Sequence, residues 1–263
     1  MKYKYIIPHI PHTINHNHII IIVFILFFYV LFYALEFYEY CDKSIQTRTL
    51  ENDGFCVLYN HLYAKKTTGL PCDELEHDIL QNLPPDYVFV DYVYTIKDVA
   101  LSTFHRDVTS SQCNYHTKYP VYTAILYKYN GELLSVCPSS NYDYPLCWSH
   151  IVNISGEKGT VFVFDSNLLH AGQINNCQYR EVIQYKLCHK DDIDKLTHLH
   201  GVRAEKTDVC ELSVYNLLMR KLSYYFECPI NSFFYPLMIK RENTDTIIGA
   251  IQSIIPLTYY NNV

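Results

Sequence analysis

The chain has 263 residues, of which 49% are hydrophobic, and its formal net charge is −6 at pH 7. This length is enough for one ordinary to large domain with a buried core and some appendages. The 21 basic residues form no long run, and phosphate binding requires clustered lysine and arginine, so the composition argues against a nucleic-acid partner. The 26 tyrosines, with many isoleucines and asparagines, are typical of an AT-rich coding genome and compatible with a viral source.

The N-terminal part of the chain predicts a membrane anchor. Residues 1–18 are polar and rich in histidine, whereas Ile19–Leu35 is an uncharged and almost wholly apolar run. At about 1.5 Å per residue, a helix of this length approaches the thickness of the bilayer hydrocarbon, and the tyrosines after it suit the interface. We therefore expect a polar tail over 1–18, one transmembrane helix over 19–40 and a stalk over 41–48. The alternatives are a cleaved signal peptide and a buried helix, and the absence of a small-x-small cleavage site after the run argues against the signal peptide.

The orientation of this anchor depends on weak signals. Positive charges flank the apolar run almost equally, so the positive-inside rule does not decide the orientation. Ten cysteines and one glycosylation sequon, Asn153–Ile154–Ser155, favour a lumenal or external position for the rest of the chain. The cysteines contain no C-x-x-C pair, which argues against a structural zinc site. Buried free thiols are an equal alternative to disulfides.

From Thr49 onward the sequence has the pattern of a β-rich domain. Alternating or continuous apolar runs predict strands at 54–58, 87–94, 99–104, 119–129, 160–165 and from Arg180 onward. A helix is expected over Cys72–Leu83, with acidic residues in its first turns and two prolines after it. Asn130–Gly131 is the residue pair of a tight β-hairpin. Many strands with little helix between them predict a mainly β domain with flanking helices, a double-stranded β-helix of the jelly-roll or cupin-like type, over residues 49–188.

Residues 189–263 have a different pattern. Helical spacing occurs over Asp191–His200 and Leu212–Phe226, and Thr246–Leu257 is an apolar segment too short to span a bilayer. We expect a C-terminal helical extension that packs on the β domain or forms a lid over it. The sequence assigns no function to this extension.

Two histidines and one aspartate are the candidate functional residues. His105 and Asp107 are two residues apart, so in an extended segment their side chains point to the same side. His170 lies just after the strand predicted at 160–165. Two histidines and one carboxylate with open positions are the ligands of non-haem Fe(II) oxygenases. By composition roughly one H-x-D is expected by chance, and a second one, His189–Asp191, lacks the surrounding strands and a distal histidine followed by arginine.

With these elements in this order, the sequence resembles the 2-oxoglutarate- and Fe(II)-dependent dioxygenases, and within them the phytanoyl-CoA dioxygenase-like branch. Leu50–Leu58 looks like the opening strand of that branch. Gly131–Ser140 is similar to its N-G-x-L-x-x-x-P-G-S-H turn, although Ser139 and Asn141 replace the usual glycine and histidine. The resemblance covers residues 48–188 and leaves both ends of the chain unexplained.

The resemblance implies roles for individual residues. The metal ligands would be His105, Asp107 and His170. Arg180, ten residues after the distal histidine where the family often has eleven, would form a bidentate pair with the distal carboxylate of 2-oxoglutarate, a task that suits a planar guanidinium. A hydroxyl often assists this arginine, and Thr123 and Tyr127 on the neighbouring strand are the candidates. Arg106 would point away from the metal.

Together with the anchor predicted from the apolar run, the resemblance implies a membrane-anchored dioxygenase. It would use Fe(II), 2-oxoglutarate and O2, with ascorbate as an auxiliary reductant, to hydroxylate a small molecule or a lipid, and it would release succinate and CO2. Because halogenating members lack the ligating carboxylate, Asp107 favours hydroxylation. The alternatives are a prolyl or lysyl hydroxylase acting on a protein, and a catalytically inactive, membrane-tethered jelly-roll binding module.

Overall fold

The chain divides into two compact units, Met1–Glu36 and Phe37–Val263. A computed structural model describes residues 16–29, 40–41, 45–98, 103–143, 149–173, 179–207, 214 and 217–227. In the first unit, helix α1 spans His16–Tyr29, and its large apolar side chains from Ile19 to Phe27 are exposed. Among the described residues, no helix is both long and apolar enough to cross a membrane. Residues 30–39 of the expected anchor lie outside the described part of the chain.

The described part of the second unit consists mainly of short strands. The strands are β1 (Tyr40–Cys41), β2 (Phe55–Tyr59), β3 (Tyr87–Phe89), β4 (Tyr92–Lys97), β5 (Tyr122–Tyr127), β6 (Gly131–Val136), β7 (Val152–Gly156), β8 (Thr160–Asp165), β9 (His170–Gly172), β10 (Glu181–His189) and β11 (Val202–Thr207). The α-helices are α2 (Leu50–Asp53), α3 (His61–Lys66), α4 (Asp73–Gln81) and α5 (Gln112–Tyr115). Three 3-10 helices cover Ile45–Thr47, Val108–Ser110 and Lys190–Leu199, and residues 217–227 are helical.

The strands form two sheets with the connectivity of a jelly roll. One sheet has the order β11-β4-β10-β5-β8-β2, and β3 also pairs with β10; the other has the order β1-β7-β6-β9. His105 extends the second sheet through an antiparallel bridge to His170. If β4, the His105 bridge and β5 to β10 are counted as eight successive strands, their order is 1-8-3-6 in one sheet and 2-7-4-5 in the other, with antiparallel neighbours throughout. This arrangement confirms the expected mainly β, double-sheet fold.

The hydrophobic core lies between the two sheets and continues on the outer face of the larger one. Ile125 and Tyr127 of β5 point inward and pack with side chains from β6 and β7 of the other sheet. Ala124 and Leu126 point to the opposite face, which is covered by α4. The central strands are therefore buried on both faces, which is why β5 and β8 consist of nearly continuous apolar runs instead of alternating ones.

The structure corrects two local expectations. The Asn130–Gly131 hairpin is wrong, because β5 pairs with β8 and β10 whereas β6 pairs with β7 and β9, so this turn carries the chain from one sheet to the other. The single strand expected at 87–94 is two strands, separated by a tight turn in which the N–H of Tyr92 donates to the carbonyl oxygen of Val90 at 2.6 Å. Residues 99–102 and 246–257 lie outside the described part of the chain.

The turn after β6 has the backbone geometry that glycine favours. Ser139, which stands where the dioxygenase turn has glycine, has a φ of +62°. Its N–H donates to the carbonyl oxygen of Asp53 at 2.8 Å, and its hydroxyl donates to that of Asn52 at 2.8 Å. These two bonds attach the turn to α2, and they offset the cost of the unfavourable backbone conformation of Ser139.

Candidate metal centre

Sheet pairing brings the two candidate histidines together. The N–H of His105 donates to the carbonyl oxygen of His170 at 2.9 Å, and the reciprocal bond is 3.0 Å. The two imidazole rings lie on the same side of this pair with their centroids 4.4 Å apart. Asp107 follows two residues later, and one potential ligand atom from each of the three side chains lies within 4.8 Å of the others. Among the described residues, this is the one group of histidine, cysteine and carboxylate side chains with the spacing of a metal site.

In its neutral form, each imidazole turns Nε2 toward the centre of this group. The Nδ1 atom of His105 lies 2.9 Å from the carbonyl oxygen of Thr103, and that of His170 lies 2.9 Å from the carbonyl oxygen of Leu168. A carbonyl oxygen only accepts hydrogen bonds, so each Nδ1 carries the proton of the neutral ring. Each Nε2 therefore keeps its lone pair, which is the form that ligates a metal ion.

The two oxygens of Asp107 have different neighbours. Oδ1 lies 3.9 Å from Nε2 of His105 and 3.7 Å from Nε2 of His170. Oδ2 accepts hydrogen bonds from the Thr123 hydroxyl at 2.6 Å and from the Lys186 ammonium at 2.6 Å. One oxygen is thus held by the protein while the other faces the two histidines, which favours monodentate binding of a metal.

The electrostatics of the group keep it ready to bind a cation. Burial alone would raise the pKa of Asp107, but the charge of Lys186 and then the two histidines outweigh burial and hold this pKa well below its usual range. Burial, followed by the proximity of His105, lowers the pKa of His170 to about 4. At neutral pH the carboxylate is therefore ionised and His170 is neutral, as metal ligation requires.

Lys186 is a buried lysine whose three donor positions are occupied. Besides Asp107, its ammonium contacts the hydroxyl oxygens of Ser110 at 2.9 Å and Thr123 at 2.7 Å. Only 1% of its side chain is exposed. A buried charge is tolerated when it is paired and fully hydrogen-bonded, so this cluster stabilises the ionised form of Asp107.

Arg180 lies at the other end of the same inner face. Arg180 is buried, and its Nε donates to the hydroxyl of Tyr129 at 3.2 Å. Its Nη1 is buried and has no hydrogen-bond partner among the described residues. A guanidinium nitrogen left without a partner in the interior is costly, so this end of the face is suited to an anionic group from outside the chain.

The pairing of β5 with β10 connects the metal ligands to Arg180. The cross-strand partners include Thr123 with Lys186 and Tyr127 with Val182. Because side chains alternate along a strand, Val182 and Lys186 of β10 both face the interior. Arg180, which directly precedes β10, falls on that same face. The inner surface therefore runs from Thr123 and Lys186, which hold Asp107, to Arg180.

Thr123 and Tyr127, the two residues proposed to assist Arg180, have different surroundings in the structure. Thr123 lies beside Asp107, 2.6 Å from its Oδ2. Tyr127 is buried against the rings of Tyr129 and Phe162, and burial raises its pKa well above the usual range, so its hydroxyl stays protonated. The hydroxyl that contacts Arg180 is that of Tyr129, which the sequence had not singled out. Tyr129 follows the same two-residue alternation as the other two, so the pattern allowed it as a candidate but did not select it.

Two other residues near H-x-D motifs have structural partners. Arg106 donates from Nε to the carboxylate of Glu227 at 3.0 Å and from Nη1 to the carbonyl oxygen of Ser140 at 2.7 Å. In the second motif, His189 packs against Tyr119 with ring centroids 3.9 Å apart, and its Nδ1 accepts from the N–H of Asp191 at 3.2 Å. His189 caps a 3-10 helix.

Sequence comparisons do not assign the chain to a family, since no protein-family model and no curated protein matches it. Comparison of the structure finds similar solved structures, among them a non-heme monooxygenase. The non-heme monooxygenase ThoJ has a TM-score of 0.41 and 12% identity, with 71% of this chain and 99% of ThoJ covered. HygX from Streptomyces hygroscopicus, solved with nickel and 2-oxoglutarate bound, has a TM-score of 0.41 and 11% identity, with 57% and 88% covered.

A third similar structure, EvdMO1, has a TM-score of 0.39 and 14% identity, with 55% of this chain covered. The match spans only about half, 49%, of the length of EvdMO1. All three TM-scores lie below 0.5, so the likeness by itself establishes neither the fold nor the function of this chain. The topology and the site geometry described above are independent of it.

Proposed function

We propose that the chain is an Fe(II)- and 2-oxoglutarate-dependent dioxygenase that hydroxylates a small molecule or a lipid, with release of succinate and CO2. The observation that carries the proposal is the convergence of His105, Asp107 and His170 around one point, with both Nδ1 atoms bonded to carbonyl oxygens, both Nε2 atoms facing the centre and Asp107 ionised. Two histidines and one carboxylate on one face suit Fe(II) and leave positions for a cosubstrate and oxygen. Iron bound there would activate O2 for attack on a C–H bond.

The role of Arg180 supports 2-oxoglutarate as the cosubstrate. A dicarboxylate with its 2-oxo end at the metal needs a cation at its other end. Arg180 supplies a buried guanidinium whose Nη1 has no partner in the described part of the chain, on the inner face that also carries Lys186 and Thr123 beside Asp107. The hydroxyl of Tyr129 orients this guanidinium through Nε. Ser139, with a left-handed backbone where the phytanoyl-CoA dioxygenase-like branch has glycine, supports membership of that branch.

The exposure of the ligands indicates where the substrate enters. The His105 side chain is 30% exposed, whereas those of Asp107 and His170 are 8% and 4% exposed. A substrate therefore approaches from the His105 side, and the rest of the site stays shielded from water. Shielding favours the proposed chemistry, because a reactive site open to solvent loses its oxidising power to side reactions.

The decisive test is turnover of 2-oxoglutarate by the full chain reconstituted anaerobically with Fe(II) and then supplied with O2 and ascorbate. We expect succinate from the wild type, with lipids, amino acids and peptides screened as substrates. His105→Ala, Asp107→Ala and His170→Ala should each abolish succinate formation, because each removes a ligand. Asp191→Ala, which removes the carboxylate of the second H-x-D motif, is the matched control and should keep it.

Each other outcome of this experiment has a defined meaning. Succinate formation that persists in all three ligand variants would refute the assignment of the site. A wild-type chain that binds no iron would be a jelly-roll binding module and not an enzyme. Succinate released only with peptide substrates would identify a protein hydroxylase instead of a small-molecule or lipid hydroxylase.

Attachment of this enzyme to a membrane through residues 19–40 is part of the proposal. It is supported by the apolar run of the sequence and by the exposed apolar side chains from Ile19 to Phe27 on α1. A lumenal or external position of the β domain is supported by the sequon at Asn153 and by the cysteine content. Expression with and without residues 1–40, followed by membrane fractionation and protease protection, tests both statements.

A further inference from the structure

The helical segment 217–227 packs directly on the strands that carry the metal ligands. The hydroxyl oxygen of Ser223 accepts a hydrogen bond from the N–H of Phe104 at 2.8 Å, immediately before His105. Arg220 donates to the carbonyl oxygen of Gly172 in β9, the strand that begins with His170, at 2.9 Å. One helical segment therefore contacts both histidine-bearing segments.

A buried ion pair joins the same segment to the residue between two ligands. Arg106, which lies between His105 and Asp107, donates from Nε to Oε2 of Glu227 at 3.0 Å. The side chains of Arg106 and Glu227 are only 3% and 5% exposed. Nη1 of Arg106 also donates to the carbonyl oxygens of Ser140 and Asn167, so Arg106 connects segment 217–227 to the turns that follow β6 and β8.

The segment around His105 needs this support because the sheet holds it weakly. Among the described residues, its ladder pairing is one isolated bridge to His170, and a 3-10 helix starts at Val108, directly after Asp107. A regular strand is held by several such pairs, and an edge segment with one pair has little resistance to twisting. Asp107 is also held from the inner side by Thr123 and Lys186, and its N–H donates to the carbonyl oxygen of Ser166 at 2.8 Å. The contacts on the outer side act at Phe104 and Arg106, the two neighbours of His105, and these contacts orient the part of the segment that carries His105.

We propose that segment 217–227 is a positioning element of the metal site, with Glu227 and Ser223 as the positioning residues. Glu227 holds Arg106 on the outer side, and by alternation along the chain this turns His105 and Asp107 toward His170. Ser223 fixes the backbone at Phe104. The inference rests on the proposed metal binding, and it assigns a function to a region whose sequence indicated none.

The experiment measures Co(II) binding to the full chain, because Co(II) reports on ligand geometry without turnover. Glu227→Gln keeps the shape of the side chain and removes its charge, and Ser223→Ala removes the acceptor for the N–H of Phe104. The control is Asp192→Asn, which removes another buried carboxylate whose partners are the N–H groups of Lys118 and Tyr119 and the ammonium of Lys195. Titration calorimetry gives the affinity, the visible spectrum gives the geometry, and thermal unfolding in chelator gives the stability.

We expect Glu227→Gln to weaken Co(II) binding about 10- to 100-fold, the usual loss when a group that orients a ligand is removed, and to change the Co(II) spectrum. Ser223→Ala should show a smaller loss in the same direction. Asp192→Asn should lower the unfolding temperature and leave both the affinity and the spectrum unchanged. A purely structural role of the segment would change stability alone in all three variants.

Wild-type affinity and spectrum in both Glu227→Gln and Ser223→Ala would overturn the inference and leave the proposed function intact. Should Glu227→Gln fail to fold, Ser223→Ala decides by the same criterion. An equal loss of affinity in Asp192→Asn would also overturn the inference, because the effect would then follow general destabilisation. A wild-type chain that does not bind Co(II) would refute the proposed function and this inference with it.

Discussion

Replacement of Lys186 by methionine tests whether the protein keeps the metal-ligating carboxylate ionised by a buried countercharge. In the wild type, the Lys186 ammonium lies 2.6 Å from Oδ2 of Asp107, and both side chains are buried. In Lys186→Met, Asp107 keeps the Thr123 hydroxyl at 2.6 Å and the amide of Gln184 at 3.5 Å but loses its cation. Loss of one partner of a buried ion pair costs about 3–5 kcal/mol. For a chain of this size, this corresponds to a fall in unfolding temperature of roughly 6–20 °C.

A matched control exists four residues along the chain. Lys190 forms an ion pair of the same length with Asp86, 2.6 Å, but both side chains are more than half exposed. Lys190→Met should therefore cost about 0–1 kcal/mol, because solvent screens an exposed pair. The same chemical change at the same distance thus separates the effect of burial from that of the charge pair itself.

The pH dependence and the effect of metal follow from the pKa of Asp107. Its pKa is depressed in the folded protein, so the ionised carboxylate contributes stability above its unfolded pKa, and this contribution is lost as the pH falls through the folded value. Lys186→Met raises this pKa, so the penalty is largest at neutral pH and shrinks on acidification. Bound Co(II) supplies the missing positive charge, and it should reduce the penalty at neutral pH.

The assay is urea unfolding of wild type, Lys186→Met and Lys190→Met at neutral pH, with chelator and with Co(II). We expect a large loss of unfolding free energy in Lys186→Met with chelator, and a smaller one with Co(II). A loss in Lys186→Met no greater than that in Lys190→Met would refute the reasoning, since burial of the pair would then have no energetic weight.

Three further predictions concern pH, the cosubstrate and backbone strain. The pKa of His170 is lowered to about 4 from an ordinary 6.5, so on acidification the unfolded state takes up the proton first. Between pH 7 and 4, the free energy of unfolding of the metal-free wild type should therefore fall by about 3 kcal/mol more than that of His170→Gln, as measured by urea unfolding. Arg180→Lys should weaken 2-oxoglutarate binding to the Co(II)-loaded chain about 10- to 100-fold in calorimetry, with Co(II) affinity unchanged, because an ammonium loses the bidentate geometry. In urea unfolding, Gly54→Ala should cost more than Gly201→Ala. Both glycines have a positive φ, +78° and +77°, which costs an alanine roughly 1–2 kcal/mol, but of the two only the Cβ at Gly54 would clash, with the side chains of Asn141 and Leu168. Equal losses for the two glycine variants would contradict the last prediction.

The sequence was informative wherever local periodicity decides the structure. The strand expected at 160–165 is present with those bounds, because its apolar run between a turn and an aspartate is unambiguous. The expected helix over Cys72–Leu83 is present as Asp73–Gln81, where acidic residues stabilise the first turn. The prediction that His105 and Asp107 point to the same side required only an extended backbone between them. It therefore applied even though this segment forms a single bridge instead of a regular ladder.

Local patterns failed where the outcome depends on which strands pair. Asn130–Gly131 has the composition of a hairpin turn, yet the strands before and after it belong to different sheets. The same limitation applies to the hydroxyl near Arg180. Alternation along β5 allowed several candidates, and only the register with β10 places Tyr129 beside Arg180.

By itself, the sequence determined the order of the elements, the sides to which alternate residues point and the residue types available for a metal site, because these follow from short-range sterics and periodicity. The tertiary structure decided which of these residues meet. The contact between Arg106 and Glu227 joins positions 121 residues apart, and the pairing of Lys186 with Asp107 spans 79. Contacts at such separations depend on sheet register and on the burial of charge, and no local pattern encodes either of them.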